Sequence, residues 1–209
     1  SPLPITPTAV LAGGIVEYTT ITDIFIICDE DSIVNTVCTS LSFGLEDTRS
    51  KNNNLLHHLF FREQVLGKST ILLEKLPINN FRLKFLKKSF PNARYIYLSR
   101  NGLEVSKSIE KRIQKQNWFT GEKYDLLKKY SSDNNIVFKT KINSNQEKGM
   151  WEWKLSIDES NQFFKKENKD NFIHLSYQNF IKSPSESIKN IFDFLKLSYT
   201  ENWINEISK

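Results

Sequence analysis

The segment FPNARYIYLSRNGLEVSKS, residues 90–108, indicates the fold class of this chain. Residues 95–98 form a short apolar run that is typical of a buried strand, and Val105 and Ile109 then recur at helical spacing. Asn101 and Glu104 have the spacing of a capping box, which predicts that the helix starts directly after the strand. A strand that leads straight into a helix is the repeating unit of α/β sheets.

The same alternation extends to both sides of this segment. Residues 24–27, 71–73 and 172–175 predict further short strands, and apolar residues at helical spacing predict helices between them. Residues 183–186, SPSE, predict a last helix that begins with a capping box and a proline at its first position. Strands that alternate with helices pair in parallel, and ligands bind at their carboxyl ends.

We therefore predict an α/β fold, with three α/β/α layers around a mostly parallel sheet. Residues 1–21 are rich in Pro, Thr and Gly and predict a loosely ordered lead-in, followed by a single domain over residues 22–209.

Composition restricts the class of protein. The 209 residues carry 29 Lys and Arg against 24 Asp and Glu, a formal charge of +5, which suits a phosphorylated small molecule, an acidic polymer or a membrane surface. The 2 cysteines exclude a disulfide scaffold and a cysteine-built zinc site. No apolar run approaches the roughly 18 residues of a membrane-spanning helix. We expect a cytoplasmic protein, or a protein of the Golgi lumen if an N-terminal anchor has been removed.

The junction after residue 98 has the composition of a phosphate site. Arg100 lies at the strand end beside a helix N-terminus, whose backbone N–H groups attract anions. Ser108 and Arg112 are four residues apart and therefore share one helix face. Together these three side chains have the donors to close on one phosphate, although the same pattern also occurs on solvated helix faces.

The segment resembles the 3′-phosphate-binding segment of sulfotransferases that use 3′-phosphoadenosine 5′-phosphosulfate (PAPS). In that family a strand-end Arg and a Ser eight positions later bind the 3′-phosphate, and Arg100 and Ser108 match them. Arg112 matches a second Arg of the tyrosylprotein-sulfotransferase branch and its bacterial relatives.

Shorter motifs extend the resemblance over about residues 22–199. They are LEKLP at residues 73–77, WEWK at 151–154, YQNF at 177–180 and FDFLKL at 192–197, where Lys196 replaces the family's Gly. The resemblance implies a P-loop-like sulfotransferase fold with PAPS as co-substrate and no metal.

The 5′-phosphosulfate loop is where the sequence departs from the family. When residues 24–27 are aligned with the family's first strand, Asp31 replaces an Arg and Ile33 replaces a Gly, so the loop is either degenerate or built differently. Ser32 keeps a family Ser, and Asn35 falls on the second residue of a Thr pair. We predict that the backbone of Ser32 to Asn35 faces the 5′ end of the nucleotide.

A second phosphate loop is not predicted elsewhere. Residues 67–70, GKST, spell a Walker A ending, but they follow a helix and precede a strand, which is the reverse of the required order.

Sulfuryl transfer needs a cation near the leaving phosphate and a base for the acceptor's proton. Lys75 matches a family Lys near the phosphosulfate. Glu46 lies in a stretch that looks like the base-bearing segment of the tyrosylprotein branch, and Asp47 is equally plausible. His57 and His58 are rival bases, because many sulfotransferases use a histidine.

Aromatic and histidine residues elsewhere have two interpretations. His174 alternates into a predicted strand, which indicates a core residue. Trp118, Phe119, Trp151 and Trp153 are candidates for an aromatic acceptor pocket, with core packing as the default.

The function predicted from the sequence is transfer of a sulfuryl group from PAPS to a hydroxyl of a small molecule, glycan or peptide. Glu46 and Lys75 are the catalytic candidates, and Arg100, Ser108, Arg112, Ser32 and Asn35 are the PAPS-binding candidates. The alternative is a non-catalytic relative that binds 3′-phosphoadenosine nucleotides or acts as a binding protein. A nucleotide or sugar kinase and a nucleic-acid-binding module rank lower, and we expect no nucleic-acid partner. The sequence names neither the acceptor nor the oligomeric state.

Overall fold

One five-stranded sheet forms the centre of the described structure. The computed structural model describes residues 10–11, 23–29, 71–75, 77–113, 119, 123–133, 136 and 144–209. Across the sheet the strand order is β1-β3-β2-β4-β5. In chain order the strands are β1 (Val10–Leu11), β2 (Asp23–Asp29), β3 (Ile71–Lys75), β4 (Arg94–Ser99) and β5 (Phe172–Ser176).

Helices follow or precede the strands along the chain. A 3₁₀ helix (Pro77–Phe81) follows β3, and another (Lys169–Asn171) precedes β5. The α-helices of the described residues are α1 (Leu83–Ser89), α2 (Gly102–Ile113), α3 (Lys123–Asp133), α4 (Asn145–Phe164), α5 (Tyr177–Lys182), α6 (Pro184–Leu195) and α7 (Glu201–Ile207).

The predicted α/β fold with a mostly parallel sheet is confirmed, with one exception in strand direction. β1 pairs in parallel with β3, and β4 pairs in parallel with β5, but β2 runs antiparallel to both β3 and β4. The expectation that the first long strand runs with its neighbours is therefore wrong. An apolar run indicates that a strand is buried, whereas its direction depends on how the connecting segments cross the sheet.

The reversed strand changes which residues share an edge. Asp23, at the start of β2, pairs with Leu98 near the end of β4, whereas Asp29 pairs with Ile71 at the start of β3. The carboxyl end of β2 thus lies at the edge opposite to Lys75 and Ser99.

Helices cover both faces of β4, which gives the predicted three layers. Tyr95 packs edge-on against Phe163 and Phe164 of α4, with centroid distances of 5.7 and 5.9 Å. Arg94 points to the other face, because side chains alternate along a strand, and its guanidinium donates to the carbonyl of Phe194 in α6 at 3.2 Å. The buried core lies on the first face, between β4, α1 and α4, and comprises Leu83, Leu86, Phe90, Ala93, Tyr95, Tyr97, Phe163 and Phe164.

Most predicted elements in the described ranges are present. The strands at residues 24–27, 71–73, 95–98 and 172–175 are observed with slightly longer bounds, and the helix after Asn101 is observed as α2. β1 lies within the predicted lead-in and joins the sheet, which the sequence did not predict. The division into residues 1–21 and 22–209 stays a prediction.

One helix start differs from its prediction, and another has a cap that the sequence did not predict. α6 has Pro184 at its first position as predicted, but Ser183 makes no side-chain capping bond. A complete capping box forms instead at the start of α4, where the Glu147 N–H donates to Ser144 Oγ at 3.1 Å and the Ser144 N–H donates to Glu147 Oε2 at 3.0 Å. This cap fixes the first turn of a 20-residue helix.

Within the described ranges, every helix is too short or too polar to cross a bilayer.

Candidate functional site

Arg100 connects the end of β4 to the start of α2, as predicted. The Asn101 side chain caps the helix: its Oδ1 accepts from the N–H of Leu103 at 2.9 Å and from the N–H of Glu104 at 3.4 Å. We expected open N–H groups at this helix start to add to a phosphate site. Two of them are instead satisfied by Asn101, so any anion here depends more on side-chain donors than on the backbone.

The Arg100 side chain is held by two neighbouring elements. Its Nε donates to Glu104 Oε2 at 3.2 Å, and its guanidinium carbon lies 4.5 Å from the centroid of the Tyr177 ring in α5. Glu104 Oε2 also accepts from Gln178 Nε2 at 3.5 Å. The Glu104 carboxylate therefore connects α2 to α5 through Arg100 and Gln178, in place of the predicted backbone contact of a capping box.

The Arg100 backbone is held from a third element. The Trp153 indole Nε1, in the middle of α4, donates to the carbonyl oxygen of Arg100 at 2.9 Å. Trp153 also packs against buried Val105 and Ile109 of α2, together with Phe119. Core packing, the default for Trp153 and Phe119, is thus observed, and Trp118 lies outside the described residues.

Ser108 and Arg112 lie on the same helix as the Arg100–Glu104 contact. Both side chains are partly buried. Glu104, Ser108 and Arg112 are spaced four residues apart, so they form one row along α2 with a rise of about 6 Å per step. The row begins beside Arg100, which places the three predicted 3′-phosphate ligands on one side of the β4–α2 unit.

Lys75 ends β3 at the same edge of the sheet as Ser99. β2 lies between β3 and β4, so the two strands are about 10 Å apart. The structure therefore brings Lys75 and Arg100 to the same edge of the sheet, on strands whose backbones are about 10 Å apart.

Glu74, the neighbour of Lys75, is buried beneath the 3₁₀ helix that follows β3. The Asn79 amide donates to its carboxylate. Burial raises the pKa of Glu74 to about 7, although the Asn79 hydrogen bond and the positive charges of Arg82 and Lys75 oppose the rise. We did not single out this carboxyl from the sequence, since nothing in the LEKLP motif shows which side chain faces the core.

A second polar pair lies at the same edge. Ser99 Oγ and His174 Nε2 are 2.8 Å apart, and the His174 ring stacks on Tyr97 with centroids 4.5 Å apart. His174 is exposed, so the prediction of a core residue is wrong. The alternation of side chains shows which face of a strand His174 occupies. It does not show that β5 lies at the end of the strand order, where it has only one neighbouring strand. Desolvation of the ring, one face of which stacks on Tyr97, lowers the pKa of His174, which favours its neutral form.

The remaining predicted site residues, Glu46, Ser32 and Asn35, lie outside the described residues, as do Asp47, His57 and His58. Ser32 and Asn35 were assigned to the 5′ end by aligning residues 24–27 with the family's first strand, and this assignment stays a prediction. The strand that precedes them, β2, runs antiparallel to β3 and β4. Among the described residues, no group of three or more His, Cys, Asp or Glu is arranged to hold a metal ion.

Comparison with known proteins identifies the family. A model of the sulfotransferase family matches residues 42–201, which include the β4–α2 junction and helices α1 to α6. The chain belongs to the sulfotransferase family. No curated protein of similar sequence was found for this sulfotransferase-family chain.

A solved structure, the sulfotransferase domain from the curacin biosynthetic pathway, is similar to this sulfotransferase-family chain in fold. The TM-score is 0.50 at 17% sequence identity, and the match covers 69% of this chain and 45% of that chain. At this identity the likeness supports the fold alone. Family membership is what points to sulfuryl transfer as a general role.

Proposed function

We propose that this chain transfers a sulfuryl group from PAPS to a hydroxyl group of a small-molecule, glycan or peptide acceptor. The observation that carries the proposal is the position of Arg100, which directly follows β4, precedes α2 and shares one side of that helix with Ser108 and Arg112. Guanidinium groups and a hydroxyl are the donors that match a phosphate in charge and geometry.

The charges of the site are compatible with a 3′-phosphate. Arg100 and Arg112 bring two positive charges, and the Glu104 carboxylate that contacts Arg100 removes one, so the three side chains are net positive. Ser108 adds a neutral donor between the two arginines. In the proposed reaction these groups bind the 3′-phosphate and so fix the nucleotide at the sheet edge.

Transfer itself is assigned to two further residues. PAPS supplies a sulfuryl group, whose bond to the 5′-phosphate breaks as a bond to the acceptor oxygen forms, and 3′,5′-ADP is released. Lys75 offsets the negative charge on the 5′-phosphate, and Glu46 takes the acceptor's proton, with Asp47, His57 and His58 as rival bases.

Calorimetry with 3′,5′-ADP, 5′-AMP and ATP tests the nucleotide site without knowledge of the acceptor. We expect 3′,5′-ADP to bind more tightly than 5′-AMP by several kcal/mol, since each charge-assisted hydrogen bond contributes about 1.5–3 kcal/mol. Arg100→Ala should remove most of this preference. Lys107→Ala, which removes an exposed charge from another face of the same helix, should leave it unchanged. Equal affinity of the unmodified protein for 3′,5′-ADP and 5′-AMP would contradict the proposal.

A non-catalytic nucleotide-binding relative is the second candidate, favoured by the direction of β2. The strand that we aligned with the 5′-loop strand ends at the edge opposite to Lys75 and Ser99. Release of 3′,5′-ADP from PAPS, measured with phenolic, sugar and tyrosyl-peptide acceptors, separates the two candidates. Release above that of buffer supports transfer, whereas tight nucleotide binding without release supports the non-catalytic relative.

A further inference from the structure

Trp153 belongs to α4, yet it contacts the candidate phosphate site at the junction of β4 and α2. Its indole N–H donates to the Arg100 carbonyl oxygen at 2.9 Å. Its ring fills the space beside Gly102, where an added Cβ would lie 2.7–2.8 Å from three ring carbons. One side chain therefore fixes the backbone on both sides of Asn101, the residue that caps α2.

A second close contact joins the same two helices one turn earlier in α4. A Cβ on Gly149 would lie 3.1 Å from Cβ and Cγ2 of Ile109, so the backbones of α4 and α2 approach closely there. Two contacts, at Gly102 and Ile109, are separated by about two turns of α2. They fix both the position of α2 along its axis and its rotation, and hence the direction in which Ser108 points.

We propose that Trp153 is a positioning residue for the 3′-phosphate, acting through the Arg100 carbonyl and Gly102. This inference rests on the proposed function, because it assumes that Arg100 and Ser108 bind that phosphate. The indole holds the start of α2 so that the Arg100 guanidinium and the Ser108 hydroxyl face one point. A tryptophan that served the core alone would affect every ligand of the fold equally, whereas a positioning residue affects the 3′-phosphate selectively.

Trp153→Phe keeps a ring beside Gly102 and removes the N–H donor. We expect this variant to lower the affinity for 3′,5′-ADP roughly fivefold, which corresponds to about one hydrogen bond, and to leave the affinity for 5′-AMP unchanged. The matched control is Trp151→Phe in the same helix. It also removes an indole donor, in this case to Ser131 Oγ at 3.3 Å in α3, away from the β4–α2 junction. The control should change neither affinity.

An unchanged ratio of the two affinities in a folded Trp153→Phe protein would overturn the inference while leaving the proposed function standing. If that variant does not fold, Gly102→Ala tests the same contact from the other side, because the added methyl group must displace the indole. A retained ratio there overturns the inference as well. If the unmodified protein shows no preference for 3′,5′-ADP, the proposed function fails, and the positioning role fails with it.

Discussion

Lys196 ends α6 with a backbone conformation that glycine usually supplies. Its φ of 59° and ψ of 36° are left-handed, and among the described residues other than glycine it alone has a positive φ. The N–H of Lys196 donates to the Asp193 carbonyl at 3.1 Å, and the N–H of Leu197 donates to the Phe192 carbonyl at 2.9 Å. These bonds form a Schellman motif. Its left-handed backbone conformation is strained for every residue that has a Cβ.

Lys196→Gly should therefore stabilise the fold. A Cβ in the left-handed region costs about 1 kcal/mol, which glycine avoids. Lys196→Ala keeps the Cβ and is the matched control for loss of the lysine charge. The free energy of unfolding, measured by denaturant titration, should be higher for the glycine variant than for the alanine variant by about 1 kcal/mol. Equal stability of the two variants would show that the conformation is not strained.

At the scale of elements, the close contact between α2 and α4 limits the size of the side chains that either helix can accommodate at their interface. Gly149 is buried in α4 and faces Ile109, whose side chain is fully buried in α2. Glycine weakens a helix interior by about 1 kcal/mol, so a packing reason is needed to explain it there. An added Cβ at Gly149 would lie only 3.1 Å from the Ile109 side chain, and this crowding is the packing reason for glycine.

Gly149→Ala is expected to destabilise the protein by about 1 kcal/mol. The gain in helix propensity is about 1 kcal/mol, but overpacking against a branched side chain near the α2 backbone costs about 1–3 kcal/mol. In an Ile109→Ala background the Cγ2 and Cδ1 contacts are removed while the Cβ contact remains, so the same change should be less destabilising. A double-mutant cycle of thermal unfolding measures this coupling. Additive effects of the two changes would exclude direct crowding.

At the scale of the whole molecule, the sequence predicted the elements better than their arrangement. Local signals were sufficient for β4 and α2: an apolar run, the Asn101 cap and the spacing of Val105 and Ile109. The direction of β2 and the exposure of His174 depend on the order of strands in the sheet, which no local pattern encodes.

The candidate site was predicted to a similar extent. Motif positions placed Arg100, Ser108 and Arg112 on one unit, because a strand end and a helix face follow from spacing alone. The contacts of Glu104, Tyr177 and Trp153 with Arg100 come from three helices that only tertiary packing brings together. Their motifs were recognisable in the sequence, but their convergence on Arg100 was not.

Global stability should depend on pH through Glu74. Its folded-state pKa is about 7, against an ordinary value of 4.5, so the folded protein holds a proton that the unfolded chain releases. The contribution of Glu74 to the free energy of unfolding is fully present below about pH 4.5, and it is lost as the pH rises through 7. At about 1.4 kcal/mol per pKa unit, the loss amounts to about 3 kcal/mol.

Glu74→Gln keeps an acceptor for Asn79 and cannot ionise. We expect this variant to remove most of the decline in unfolding free energy between about pH 4.5 and 7, as measured by denaturant titration at each pH. His174 has the opposite effect on the unfolding free energy, because its pKa is lowered by folding. The stabilising contribution of His174 is lost as the pH falls below 6.5, the ordinary pKa of histidine. A His174→Gln variant separates the two. A decline of unchanged size in Glu74→Gln would assign it to other groups.

The contacts that hold Arg100 also have an entropic consequence. A free arginine side chain loses about 1.5–2 kcal/mol of rotamer freedom when a ligand immobilises it. In the ligand-free protein the side chain already lies between the Glu104 carboxylate and the Tyr177 ring, and 22% of it is exposed. Much of its disorder is therefore lost during folding, before any nucleotide arrives. The phosphate then meets a preorganised partner, and more of the interaction free energy remains as affinity.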